Sequence, residues 1–327
     1  MADFTSTAGV TPDAATSTVG ITPDASTSTV GVTPGASNFT VGVTPDASSD
    51  AFGDQALPPA LEALRNGARR LPANRLGRWG ASLTRRALYL AGDGPFDIEV
   101  FGGVRARVWP RTNRCEKRIF SGDQFFDRAE RATLERVVRA GKDPFVFVDA
   151  GANVGLYTLA VLAACARAGR AARAIAVEPD GENGARLRTN LAANRFAATV
   201  VPAALAGESG MLRLTPATHN RGEITATSDA DGEVVEALSL TDLYQRCGID
   251  RVDAMKMDIE GGERAALMPF LAEAPHAHWP RLLIVETGKV DQQGLIPLLT
   301  EAGYTLIQRT RLNAILSRAE NDAEDSN

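Results

Sequence analysis

The 327-residue chain is poor in cysteine and histidine, with three of each, and it contains no long apolar run. Cys115, Cys165 and Cys247 are far apart and form no C-x-x-C pair, which argues against a disulfide framework or a cysteine zinc site. No stretch of about 18 apolar residues occurs, so no segment is expected to span a membrane. The first residues also lack a basic segment followed by an apolar one, and we therefore expect a cytoplasmic protein.

Positive charge is missing from the first 64 residues, which contain no lysine or arginine. Residues 5–48 are four copies of an 11-residue unit with one proline and one glycine each: TSTAGVTPDAA, TSTVGITPDAS, TSTVGVTPGAS and NFTVGVTPDAS. A proline in every copy excludes a continuous helix, and the short apolar patch of each copy is too small to bury a core. We predict disordered repeats over 1–56, with a small repeat module as the alternative.

Negative charge is missing from the next segment, since no acid occurs between Glu62 and Asp93. Seven arginines lie there, and helical spacing of apolar residues predicts a basic preface of two amphipathic helices within 57–94. One interpretation is a surface for anionic partners, with weak membrane contact through 65–86. We instead expect a helical cap whose arginines stay in solvent while its apolar rows pack on the main domain. These rows are Leu57, Leu61, Leu64, Ala68 and Leu71, then Leu76, Trp79, Leu83, Ala87 and Leu90.

The most informative stretch is FVFVDAGANVGLYT at 145–158. Its apolar beginning is typical of a buried strand, and Asp149, Gly151 and Gly155 precede an alanine-rich helical pattern. Strand, glycine turn and helix form the arrangement that holds a nucleotide-like ligand at the carboxyl edge of a parallel sheet. A second strand at 173–177 ends in Glu178, close to the offset at which an acid binds ribose hydroxyls.

This stretch resembles the first motif of the class I S-adenosylmethionine-dependent methyltransferases, and more narrowly that of the FkbM family of O-methyltransferases. The spacing D-A-G-A-N-V-G differs from the G-x-G-x-x-G of dinucleotide-binding enzymes. A second block, KMDIEGGE at 256–263, is similar to the K-x-D-x-E-G-x-E block of the same family.

The resemblance implies that S-adenosyl-L-methionine is the cofactor. The implied contacts are with its amino-acid part for Asp149, Gly151 and Asn153, and with its ribose for Glu178. Gly155 would allow a close approach of backbone to ligand or of helix to strand. Two further cofactor-binding candidates are Asp258 and, in the segment before the first motif, Glu130, which could instead be a helix N-terminal acid.

Four acids follow four predicted strands, namely Asp149, Glu178, Asp258 and Glu286, and should converge on one edge of the sheet. A hydroxyl nucleophile needs a proton acceptor, for which Asp258 is the best-placed candidate, with Glu260 and Glu263 beside it. These three carboxylates could instead hold a divalent cation, although we predict no metal site, and Glu263 could be a structural acid. His219, in a polar loop, is a further candidate base.

We therefore expect an α/β fold: a Rossmann-like, mostly parallel class I methyltransferase sheet with a C-terminal antiparallel hairpin, spanning 95–318 and followed by an acidic tail at 319–327. The expected function is methylation of a hydroxyl on a sugar, glycan or secondary metabolite. A net charge of −5 argues against a nucleic-acid partner. Two alternatives are a scaffold protein that keeps the fold without turnover and an NAD-dependent oxidoreductase, which the glycine spacing and terminal hairpin disfavour.

Overall fold

A computed structural model describes residues 51–217, 220–226, 232–288, 290–291 and 293–319. The helices within these ranges are α1 (Pro59–Ala68), α2 (Arg75–Leu88), α3 (Arg114–Phe120), α4 (Arg128–Ala140), α5 (Leu156–Arg167), α6 (Gly181–Ala193), α7 (Leu240–Cys247), α8 (Glu263–Glu273) and α9 (Leu295–Glu301). The strands are β1 (Phe96–Val100), β2 (Val104–Val108), β3 (Phe145–Ala150), β4 (Ala172–Val177), β5 (Thr199–Val201), β6 (Ala204–Leu205), β7 (Gly210–Ala217), β8 (Asn220–Ala226), β9 (Glu233–Leu238), β10 (Ala254–Met257), β11 (Leu282–Glu286), β12 (Thr305–Arg309) and β13 (Asn313–Ser317). The predicted repeats at 5–48 and the candidate base His219 lie outside the described residues.

The central sheet has seven strands in the order β12-β13-β11-β10-β3-β4-β5. The five strands from β11 to β5 are parallel, whereas β13 runs antiparallel to both of its neighbours. This arrangement confirms the predicted mostly parallel sheet with a C-terminal antiparallel hairpin. Because helices cover both of its faces, β3 is buried along its whole length, which explains its continuous apolar sequence.

The side chains of β3 alternate between two hydrophobic layers, as the pleat of a strand requires. Phe145 and Phe147 belong to the layer that includes α5, while Val146 and Val148 belong to the layer that includes α7, α8 and α9. The sheet is therefore sandwiched between helices, and its carboxyl edge is left open for a ligand.

Two smaller sheets flank the central one. The first is the hairpin β1–β2, in which Arg107 forms a buried ion pair with Asp97, with Nε 2.7 Å from Oδ1. The second is a four-stranded sheet in the order β6-β9-β7-β8. Leu214 of β7 is buried in a small apolar cluster with Ala204 and Val235.

Helices α1 and α2 form as predicted, but the predicted packing of the second apolar row is wrong. Four of its side chains are exposed: Leu76 by 77%, Trp79 by 65%, Leu83 by 43% and Leu90 by 83%. The buried side of α2 carries Gly77, Ala81 and Leu88 instead. Its small residues allow a close approach, since a Cβ at Gly77 would lie 1.7 Å from the carbonyl oxygen of Pro72.

The prediction that the arginines of this region stay in solvent is wrong for Arg65. Its side chain is fully buried, and its guanidinium donates hydrogen bonds to the carbonyl oxygens of Phe120 (3.2 Å) and Glu99 (3.0 Å). Arg65 therefore attaches α1 to the domain. Within the described part of the chain, every helix is too short or too polar to cross a lipid bilayer.

Candidate functional site

A cavity of about 370 Å³ opens at the carboxyl edge of the central sheet. Its volume is in the range of small-molecule sites. The lining includes five residues predicted from the sequence: Gly151, Asn153, Glu178, Asp258 and Glu260. Apolar residues also line the cavity, including Ala203, Leu205, Leu212 and Leu214. The acids after β4 and β10 thus face one cavity, as expected from the parallel strands.

The loop after β3 uses glycine where no side chain fits. Gly151 has φ of +74°, and a Cβ on it would lie 1.9 Å from the carbonyl oxygen of Asp258. Gly155, at the start of α5, has φ of +83°, and its Cβ would lie 2.9 Å from Cγ of Leu187. The first glycine therefore brings the loop against β10, and the second brings α5 against α6.

Asn153 connects three parts of the site. Its backbone N–H donates to Oε2 of Glu178 at 2.7 Å, across the ends of β3 and β4. Its side-chain Oδ1 accepts from Nδ2 of Asn113 at 2.6 Å. Asn113 also caps α3 by accepting from the backbone N–H of Cys115. Asn113 was not among the site residues predicted from the sequence. The sequence can indicate that an asparagine caps a helix, but not which distant residue its side chain contacts.

Glu178 is only 5% exposed, and its pKa is raised to about 7. Burial causes the increase, while hydrogen bonds from the backbone N–H groups of Asp180 and Asn153 oppose it. This carboxylate lines the cavity at the end of β4, and hydroxyl donors from a ligand would favour its charged form.

Asp149 is also buried, but its contacts point away from the cavity. Its Oδ2 accepts from the backbone N–H and the hydroxyl of Thr158, at 2.9 and 2.6 Å. Burial raises the pKa of Asp149 to about 6, although these two hydrogen bonds lower it. Asp149 ties the end of β3 to α5 behind the glycine loop, so its direct contact with a cofactor stays a prediction.

Glu130 in α4 is 3% exposed and is held by the C-terminal hairpin. Its Oε1 accepts from the hydroxyl of Thr310 at 2.7 Å and from Nδ2 of Asn313 at 2.8 Å. These contacts link α4 to the turn between β12 and β13, and Glu130 is not among the residues that line the cavity. A cofactor contact for Glu130 likewise stays a prediction.

The end of β10 carries a buried cation beside two acids. The side chain of Lys256 is 2% exposed, and its Nζ lies 2.9 Å from Oδ2 of Asp258 and 5.4 Å from the ring centroid of Tyr157. Burial opposes the charge of Lys256, but the attraction and hydrogen bond of Asp258, together with the charges of Asp127 and Glu286, raise the pKa of Lys256. The sequence block contained Lys256, yet no role followed from it until this ion pair was visible.

Asp258 and Glu286, on the adjacent strand ends of β10 and β11, divide one proton between them. Desolvation opposes the charge of Asp258, but Lys256 and a hydrogen bond donated by Glu286 hold its pKa below the usual range. Burial and the negative charge of Asp258 raise the pKa of Glu286 well above its usual range. At neutral pH, the pair therefore holds one proton and one negative charge.

Glu260 and Glu263 lie in the loop that follows, in different environments. Glu260 lines the cavity in a left-handed conformation, with φ of +55°, which is rare for a residue other than glycine. Burial and the nearby charges of Asp258 and Glu263 raise its pKa to about 7. Glu263 is buried, and its Oε1 accepts from the backbone N–H groups of Ile259 (2.9 Å) and Gly261 (3.4 Å).

Three carboxylates near the end of β10 are close enough together to be considered as a cation site. Among the described residues, carboxylate oxygens of Asp258, Glu263 and Glu286 lie within 4.8 Å of one another. However, both oxygens of Glu263 already accept hydrogen bonds, Oε2 from Nε2 of Gln293 at 2.8 Å, and Lys256 occupies one side of Asp258. These contacts favour a structural use of Glu263 in holding the loop 258–263.

We expect Glu263→Ala to lower the free energy of unfolding by about 1–3 kcal/mol, because it leaves the part-buried N–H groups of Ile259 and Gly261 without this acceptor. Urea unfolding measures this effect. Glu273→Ala, an exposed acid in the last turn of α8, is the matched control and should change stability by less than about 0.5 kcal/mol. Equal stability of the two variants would contradict the structural role of Glu263.

The strand order and the acids at the strand ends define a class I methyltransferase fold, since one reversed strand, β13, lies between β11 and β12. Residues 149–306, just under half of the chain, match the family described as the Methyltransferase FkbM domain. This match confirms the resemblance to that family seen in the sequence. No significant match occurs among curated proteins.

Several solved methyltransferase structures are similar to this chain at low identity. The METTL16 methyltransferase domain is 15% identical, with 80% of this chain and 92% of that chain covered and a TM-score of 0.41. Precorrin-6y C5,15-methyltransferase from Geobacter metallireducens is 12% identical, with coverage of 59% and 89% and a TM-score of 0.36. The ribosomal protein L11 methylase from Lactobacillus delbrueckii subsp. bulgaricus is 13% identical, with coverage of 59% and 81% and a TM-score of 0.32. Since these TM-scores are below 0.5, the fold is assigned from the strand order and the family match.

Proposed function

We propose that this protein is an S-adenosylmethionine-dependent O-methyltransferase that acts on a hydroxyl group of a sugar, glycan or secondary metabolite. The observation that carries the proposal is the single cavity shared by the glycine loop, Glu178 and the acids after β10. A small-molecule or glycan acceptor agrees with the net charge of −5, which disfavours a polyanionic substrate.

The residues at the cavity fit the proposed cofactor. Gly151 lines the cavity with backbone alone, and Glu178 offers a buried carboxylate to a pair of ribose hydroxyls. Ala203, Leu205 and Leu212 provide an apolar surface suited to a flat base. When bound, S-adenosylmethionine supplies a methyl group on a positively charged sulfur.

The protein's part in the reaction is to position the acceptor and to remove its proton. Methyl transfer is an in-line displacement, so correct placement supplies much of the rate. We propose Glu260 as the proton acceptor, because it lines the cavity and its pKa of about 7 suits a general base near neutral pH. Asp258, the candidate preferred from the sequence, is ion-paired with Lys256 and would instead orient the acceptor hydroxyl.

Calorimetric titration with S-adenosylmethionine tests the cofactor site directly. We expect micromolar binding, equivalent to about −8 kcal/mol, and no binding of NAD. Glu178→Ala should weaken the affinity about 10- to 100-fold, because it removes the acceptor for two hydroxyl groups. Glu273→Ala should bind as the unchanged protein does.

The same titration has a predicted pH dependence. Hydroxyl donors bind the carboxylate form of Glu178, whose pKa in the empty cavity is about 7. The affinity should therefore be highest above pH 7 and fall as the pH drops below it, whereas Glu178→Ala should show a flatter profile. A folded protein that fails to bind S-adenosylmethionine, or a Glu178→Ala variant with unchanged affinity, would overturn the proposed function.

A further inference from the structure

The outward face of α2 carries a row of large apolar side chains in contact with solvent. Leu76, Trp79 and Leu83 lie within about 60° of one another around the helix axis, given 3.6 residues per turn. Leu90, in the short 3-10 turn that follows, is 83% exposed and extends the row. From Leu76 to Leu90 the row is about 20 Å long at 1.5 Å per residue. Such a continuous apolar stripe on a helix surface is typical of a contact site.

Contacts on the opposite side of α2 show that the apolar row is exposed while the helix is packed on the domain. Gly77, Ala81 and Leu88 are buried, and Nη1 of Arg85 donates to the hydroxyl of Ser121 at 2.7 Å. A capping hydrogen bond from the backbone N–H of Gly77 to Oδ1 of Asn74, at 3.0 Å, fixes where the helix begins. Because these contacts hold α2 in this rotation, the apolar row cannot turn inward without breaking them.

Positive charge borders the row. Arg75 and Arg86 are exposed and lie within about 40° of Trp79 around the helix axis. Arg78, also exposed, lies farther from the row, about 100° from Trp79 around the helix axis. The sequence places no acid between Glu62 and Asp93 to neutralise these guanidinium groups. An apolar row beside arginines, with a tryptophan at its edge, is the pattern of helices that lie in the headgroup region of anionic bilayers.

We infer that α2 is an interfacial helix that binds the protein to the surface of an anionic phospholipid bilayer. The apolar row would enter the boundary between headgroups and acyl chains, while the arginine side chains reach the phosphates. Charge decides between a bilayer and a second copy of this chain as the occupant. Two copies meeting through α2 would bring Arg75, Arg78 and Arg86 of both chains together without acids between them.

Vesicle co-sedimentation of the full-length protein tests this inference without acceptor or cofactor, and so independently of the proposed function. The two probes are vesicles of phosphatidylcholine alone and vesicles of equal parts phosphatidylcholine and phosphatidylglycerol. We expect binding to the anionic vesicles, with a blue shift of Trp79 fluorescence, and much weaker binding to the neutral ones. Added salt should weaken the binding, because it screens the arginines.

Three variants separate the contributions to this binding. Trp79→Glu combined with Leu83→Glu should reduce partitioning into anionic vesicles at least about tenfold. The double substitution removes apolar area and adds negative charge, which the anionic membrane repels. Replacing Arg75, Arg78 and Arg86 by glutamine should abolish the preference for anionic vesicles while leaving Trp79 in place. Ile307→Glu, which adds a charge at a 47% exposed apolar residue of β12, is the matched control and should bind normally.

Two results would overturn the inference. The first is a folded protein that stays in solution with anionic vesicles, or that binds equally well after the double substitution in α2. The second is a dimer, seen by sedimentation velocity, that dissociates when Leu83→Glu is introduced. That result would assign the face to a second copy of the chain.

Discussion

Gly151→Ala is expected to destabilise the protein by about 2–5 kcal/mol and to abolish binding of S-adenosylmethionine. The added Cβ would lie 1.9 Å from the carbonyl oxygen of Asp258, so β10 and the glycine loop would have to separate. The left-handed backbone, with φ of +74°, adds about 1–2 kcal/mol of strain for any residue with a Cβ. Urea unfolding measures the stability, and calorimetry measures the binding.

Gly169→Ala separates the two causes. Gly169 has a similar φ of +66°, but a Cβ there would meet nothing within 4 Å. This control should therefore show only the backbone strain of about 1–2 kcal/mol and should retain cofactor binding. If both variants lost the same stability, the close approach of the glycine loop to Asp258 would not be a feature of the folded protein.

Lys256→Met is expected to lower the free energy of unfolding by about 2–3 kcal/mol at pH 8, and by less at pH 5. Removing one partner of a buried pair leaves the other charge uncompensated, with a reduced effect here because the side chain of Asp258 is 38% exposed. In the unchanged protein the pKa of Asp258 is lowered, so the ion pair stabilises the fold above the ordinary pKa of an aspartate. Without Lys256, Asp258 and Glu286 can avoid repulsion only by holding protons, which becomes harder as the pH rises.

A double-mutant cycle checks the origin of this effect. Adding Asp258→Asn to Lys256→Met removes the uncompensated charge and should restore part of the stability at pH 8. Urea unfolding of the four proteins at pH 5 and pH 8 gives the coupling free energy. A coupling of zero, or a larger loss at pH 5 than at pH 8, would show that Lys256 acts through packing rather than through its charge.

The sequence was sufficient for the sheet and for the edge at which the site lies. Continuous apolar runs such as 145–148 identify strands that are buried on both faces, and the acids that follow them identify their carboxyl ends. Glu178 and Asp258 line the cavity, as this reasoning requires.

What the sequence could not provide depends on distances between residues far apart in the chain. Asp149 has the same sequence setting as Glu178, yet its carboxylate bonds to Thr158 behind the loop. The charge states of Asp258 and Glu286 depend on a contact between two different strands.

The rotation of α2 was predicted wrongly for a different reason. Helical spacing identifies an apolar row but not the side of the row that meets the domain. Gly77 and Ala81, on the other side of the helix, were the available signal, because small residues mark the face that packs closely.

Three carboxyl groups at the carboxyl edge of the sheet change the net charge of the folded chain near neutral pH. The formal value of −5 counts every acid as ionised, but burial raises the pKa values of Asp149 to about 6 and of Glu178 and Glu260 to about 7. The native protein is therefore less negative at pH 6–7 than its composition indicates. Unfolding in this range releases the extra protons, so the cost of burying these three acids is absent below their ordinary pKa values, near about pH 4, and grows as the pH rises to about 7.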